Sequence, residues 1–168
     1  MSGYLLCVWL HVVAAAVWVG SMVFFAAVIV PVLRSDELRQ RAPALLARIG
    51  ARFRVVGWIS LGLLLATGLA NLHYRGIGWS AMSDARFWAS GFGRTLAWKL
   101  GLVALVVVLT GAHEAVTHEG ARNELHRDPS SPRARQIRRT ASWLGRSVLL
   151  ASLAILLLAV ALVRGALG

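Results

Sequence analysis

Cysteine occurs once in these 168 residues, at Cys7, so no internal disulfide framework holds the chain together. Acidic residues are scarce: seven Asp and Glu stand against eighteen Lys and Arg, a formal net charge of +11. The N-terminal tail has no Lys or Arg at all. A cleaved secretory signal needs a basic start, and the apolar stretch runs past the small residues Ala14-Ala15-Ala16 to Pro31, so it reads as a retained helix. No sequence repeat is evident, and the one clearly aqueous stretch is 119–132.

What remains is hydrophobic. The chain is 58% apolar with a mean hydropathy of +0.67, well above the ~45–50% usual for soluble domains. Four apolar runs stand out, at about 4–33, 55–74, 96–117 and 143–163. About 20 helical residues cross a ~30 Å hydrocarbon core, so each run is long enough, and the first must tilt or protrude. The expected fold is all-α, a four-helix transmembrane bundle forming a single integral membrane domain over 1–168.

Charge placement orients it. Six Arg lie in 34–54 against Asp36 and Glu37, and seven Arg lie in 118–146 against Glu119, Glu124 and Asp128. The middle connection, 72–94, has only Arg75, Arg86 and Arg94 against Asp84. Basic short loops mark the cytoplasmic side, so both termini are expected in the periplasm of a bacterial inner membrane. The basic excess serves orientation and contact with anionic lipid rather than nucleic acid. Residues 35–51 suit a short interfacial helix in the first cytoplasmic loop. The stretch 76–93, with Trp79, Phe87, Trp88 and Phe92, suits an outer loop at headgroup level. Ser131-Pro132 has the pattern of an N-cap followed by proline at the first helical position.

Ionisable side chains inside apolar runs cost several kcal/mol unless a partner, metal or water takes them up, which makes them functional candidates. His11 in the first run and Lys99 in the third are two such residues. At about 100° per residue, Cys7, His11, Trp18 and Met22 share one helix face; Ser60, Thr67 and Asn71 share another; Lys99, Thr110, His113 and Thr117 form a third. The fourth run has no such stripe. His11 is expected ~10 Å below the outer boundary and Lys99 at a similar height, with His73 near the outer end of the second helix. His113 falls ~21 Å beyond Lys99, on the inner side. His113 and His118 lie about 140° apart and cannot chelate one ion from a regular helix. Cys7 and His11, one turn apart, are soft donors of the type that takes Cu(I). Haem b asks instead for axial ligands and basic partners for its propionates. His11 with His73 or a deprotonated Lys99, Trp18 as a wall, and Arg75, Arg94 and Arg164 at the rim supply that inventory. The cofactor is thus haem b or a copper ion.

Leu10-His11, Trp18-Val19-Gly20 and Pro31-Val32-Leu33-Arg34 resemble the first helix of CopD-type copper-resistance membrane proteins. Phe92-Gly93-Arg94-Thr95-Leu96-Ala97-Trp98-Lys99-Leu100 resembles the start of that family's lysine-containing helix. The resemblance implies copper handling or membrane electron transfer, with a periplasmic copper-binding or redox partner. The related HemJ-type protoporphyrinogen oxidases carry a first-helix histidine and a third-helix lysine associated with haem b. By that resemblance these roles fall on His11 and Lys99, although the stretch after Trp18 departs from the HemJ pattern. A further alternative is a cofactor-free accessory subunit of a larger membrane complex. Homo-oligomerisation stays open.

Overall fold

The computed structural model describes residues 2–38, 40–128 and 131–164. Every regular element among them is helical, with no strand. Four long helices carry the chain: α1 (Ser2–Phe24), α2 (Ala42–Tyr74), α3 (Gly91–Val116) and α4 (Pro132–Arg164). By length and composition four spans are able to cross a membrane: Gly3–Val32, Ala42–Tyr74, Gly91–Val116 and Pro132–Ala161. Large apolar side chains cover their outward surfaces, among them Trp9, Ile59, Leu69, Val108 and Leu157, all more than half exposed. Such a surface is stable only against lipid, so the chain is a multi-pass membrane protein.

The chain divides into two compact units, Met1–Asp84 and Ala85–Gly168. In the first, α1 and α2 form an antiparallel hairpin. Tyr4 meets Tyr74, His11 meets Thr67, Trp18 meets Gly57 and Phe25 meets Phe53, so contacts climb one helix as they descend the other. The contacting residues of this first run recur every seven positions, two turns of one helical face.

Past Phe24 the helix widens. Phe25–Ile29 is a π-helical turn in which the Val30 N–H reaches back five residues to the Phe25 carbonyl. Pro31 lacks the N–H that would bond Ala27, and its ring crowds that carbonyl; one extra residue in the turn relieves both. Residues 42–51, expected in a separate interfacial helix over 35–51, are instead the first turns of α2. Pro43 sits where a proline favours helix initiation, and no second proline follows before the apolar run, so the helix continues unbroken through Gly50. At the other end, Ile77 N–H bonds the Leu72 carbonyl and Gly76 N–H bonds that of His73, at 3.1 and 2.9 Å. This paired closure needs the left-handed Gly76, φ +74°.

The second unit pairs α3 with α4 behind two short helices, Ala85–Ala89 and Glu119–Arg127. Ser90 caps α3, its Oγ accepting from Gly93 N–H at 3.0 Å. Ser131 caps α4 in the same way, accepting from Ala134 N–H at 3.0 Å, with Pro132 at the first helical position as expected. The buried core of this hairpin is Leu96 and Val106 with Val148, Ala151 and Ser152.

Candidate functional site

The candidate residues of α1 face α2. His11 is half-buried, and its Nδ1 lies 2.8 Å from Thr67 Oγ1. The Thr67 hydroxyl has one proton, and it points back to the Leu63 carbonyl at 2.6 Å, with Leu64 O at 3.4 Å. Carbonyls only accept, so the contact with the imidazole requires Nδ1–H to donate to Thr67 Oγ1. In its neutral form the ring then carries its lone pair on Nε2. Fixing one ring nitrogen as a donor so that the other can ligate is the usual way a protein prepares a metal-binding histidine.

Thr67 receives a second group from α1. The Cys7 thiol donates to the Thr67 carbonyl at 3.5 Å, so Cys7 and His11, one turn apart, both converge on one residue of α2. A Cβ on Gly68 would lie 3.6 Å from His11 Cε1, and that small residue lets the ring lie against α2. Trp18 is buried, with its ring over Gly57, where a Cβ would stand 3.3 Å away. Here Trp18 acts as packing between the two helices. Asn71 Oδ1, one helical turn beyond Thr67, is buried without a hydrogen-bond partner.

The other candidates lie at the end of α2 and in the second unit. His73 is exposed in the last turn of α2 and packs edge-on against Tyr74, ring centroids 6.4 Å apart. Lys99 is half-buried in α3, and Arg94 is exposed at that helix's start. Arg164 ends α4, and its side chain lies outside the described residues. His113 faces α4 at Gly145, while His118 Nδ1 donates to the Ala115 carbonyl at 2.6 Å. No cluster of three or more His, Cys, Asp or Glu able to hold a metal occurs among the described residues.

Sequence reasoning placed Thr67 on an inward stripe but missed its partnership with His11. The available signal was the short connection between the first two runs, which forces an antiparallel pairing and sets positions near 67 opposite position 11. The unmet Asn71 acceptor had no sequence signal beyond its place on the same stripe.

Residues 47–164 match the CopD family, described as copper resistance protein D. An uncharacterised protein of Aquifex aeolicus (strain VF5) is 32% identical over 111 residues, covering 65% of this chain and 66% of that protein. The chain thus matches just under two thirds of that relative's length. No solved structure matches. The family match takes in Thr67, His73, Arg94 and Lys99, whereas Cys7, His11 and Trp18 precede it.

Proposed function

The chain belongs to the copper resistance protein D family, and on that premise we propose that it handles copper at the periplasmic side of a bacterial inner membrane. Its cargo is Cu(I), taken up by His11 Nε2 and the Cys7 thiolate. The observation that carries this reading is the Thr67 hydroxyl, which sets the imidazole in the tautomer a metal needs. With no cluster of three ligands among the described residues, the reading calls for an ion content with few protein donors, and soft nitrogen and sulfur donors suit Cu(I). Binding releases the thiol proton, so Cu(I) with the thiolate and a neutral imidazole carries no net charge. That balance matters inside a bilayer, where a net charge is costly. The orphaned Asn71 oxygen marks a further unmet acceptor at the same end of the hairpin.

The basic segments 34–54 and 118–146 place both termini outward in this reading, with the Cys7–His11 end of the hairpin nearest the periplasm. Lys99 enters through the family resemblance as the alternative second donor.

The test is a Cu(I) titration of the purified full chain in detergent against a chromophoric Cu(I) chelator, with an absorbance spectrum of the protein as isolated. We expect stoichiometric Cu(I) uptake, at least ~10-fold weaker in His11→Ala and in Cys7→Ser and unchanged in His113→Ala. Uptake indifferent to His11 overturns the proposal. A Soret band lost in His11→Ala overturns it in favour of haem b, and Lys99→Met would then report whether the lysine is an axial ligand.

A further inference from the structure

A groove of about 490 Å³ opens on the first hairpin at the end opposite His11, within the ~300–1,000 Å³ range of ligand clefts. Its apolar lining comes from the widened turn after α1 and from α2, including Phe24, Phe25, Ile29 and Phe53. Phe25 and Phe53 meet across it, ring centroids 5.2 Å apart. Two guanidiniums, Arg48 and Arg52, belong to the same lining, one helical turn apart on α2. Both are exposed, and neither has a hydrogen-bond or ion-pair partner among the described residues. Among the described residues no acid lines the groove; Asp36 and Glu37 are exposed in the turns between the helices.

We propose that this groove is a binding site for one anionic phospholipid, its phosphodiester held by Arg48 and Arg52 and one acyl chain laid between Phe24, Ile29 and Phe53. Three features of the site argue for an anionic amphiphile over any tail or any anion. A pair of guanidiniums forms charge-assisted hydrogen bonds to phosphate oxygens, which a neutral headgroup cannot match. The lining below them is almost wholly apolar, which a free phosphate would not use. Arg52 and Val56 are one turn apart, ~6 Å along α2, so the charged rim passes directly into the apolar floor, as a phospholipid passes from phosphate to acyl chain. The groove opens beside the π-helical turn, whose Phe25 and Ile29 line it.

Bulk attraction between a basic loop and an acidic membrane is the competing explanation, and it is indifferent to which arginines are removed. The full chain is reconstituted with vesicles of phosphatidylglycerol and phosphatidylcholine, extracted in mild detergent, and its retained lipid is weighed by native mass spectrometry. We expect phosphatidylglycerol to be retained over phosphatidylcholine, about 10-fold less in the double variant R48Q/R52Q, and within about 2-fold of wild type in R138Q/R139Q. Val56→Trp, which fills the groove from its apolar floor without touching charge, should displace the lipid as fully as the arginine variant. Val108→Trp, at a still more exposed position of α3, should not. Equal losses in the two arginine pairs, or retention untouched by Val56→Trp, overturn the proposal. Selective retention of a neutral isoprenoid lipid would overturn it as well.

Discussion

The two hairpins solve the same problem with different chemistry. Between α1 and α2 the polar groups reach across: Cys7 and His11 both bond to Thr67 on the facing helix. In the second hairpin the hydroxyls of Thr95 and Thr117 fold back on their own helix, Thr95 onto the Gly91 carbonyl at 3.0 Å and Thr117 onto that of His113 at 2.8 Å. Its seam is built from Leu96, Val106, Val148 and Ala151, with Ser152 buried among them. In lipid there is no hydrophobic drive between helices, so close packing and cross-helix hydrogen bonds must hold a pair. In the α1–α2 pair such cross-helix bonds also orient an imidazole. A seam whose polar groups are directed at each other can be redirected to a ligand.

The sharpest way to break the packing hairpin is at Gly93. A Cβ there would run into the Phe87 carbonyl and the Trp88 backbone, neither of which can rotate away. The same carbonyl accepts the Ser90 hydroxyl at 2.6 Å, so moving it disturbs the cap of α3 as well. Gly93→Ala should cost about 3 kcal/mol, read as a lowered unfolding midpoint in detergent. It should leave Cu(I) affinity unchanged, because the first hairpin holds the ligands. A weakened Cu(I) affinity would show that the two hairpins are coupled.

Removing one hydroxyl from each hairpin tests the contrast directly. Thr67→Val leaves His11 Nδ1–H without its acceptor inside an apolar seam and should cost about 1–2 kcal/mol. It should also weaken Cu(I) binding about 10-fold, the usual scale for losing a ligand's orienting partner. Thr95→Val deletes only a bond within one helix turn and should cost under about 0.5 kcal/mol, with no effect on Cu(I). Equal losses of stability would mean that the cross-helix bond contributes nothing beyond local packing.

Much of this was legible in advance because the bilayer imposes simple rules. Apolar length located four spans, and the Ser131-Pro132 pattern located the start of α4. Helical angle gathered Cys7, His11 and Trp18 on the face that meets α2. Where reasoning failed, the cause lay in context that periodicity does not carry. The segment 35–51 looked interfacial because its arginines break the apolar run, yet charge does not end a helix, and α2 begins at Ala42 regardless. The π-helical turn before Pro31 depends on how one ring crowds one carbonyl, which hydropathy does not register. Thr67 was visible as a polar residue on an inward stripe, but its role comes from the direction of a single proton, fixed by Leu63 O and Leu64 O.

The smallest effect discriminates most finely between the two seams. Gly57 and Gly145 are both helical glycines facing an aromatic ring of the neighbouring helix, Trp18 in one case and His113 in the other. A Cβ would stand 3.3 Å from Trp18 Cζ3 but 4.0 Å from His113 Nε2. Glycine to alanine in a helix gains up to about 1 kcal/mol from backbone entropy when space allows. At Gly145 the added methyl makes an ordinary contact, so Gly145→Ala should stabilise the second hairpin by about 0.5 kcal/mol. At Gly57 the buried Trp18 must yield by a few tenths of an ångström, which offsets the gain, and Gly57→Ala should be neutral or slightly destabilising. Paired unfolding midpoints in one detergent would read the difference. If Gly57→Ala stabilises as much as Gly145→Ala, Trp18 is loosely seated, and the first hairpin is held by its bonds to Thr67 rather than by the fit of its rings.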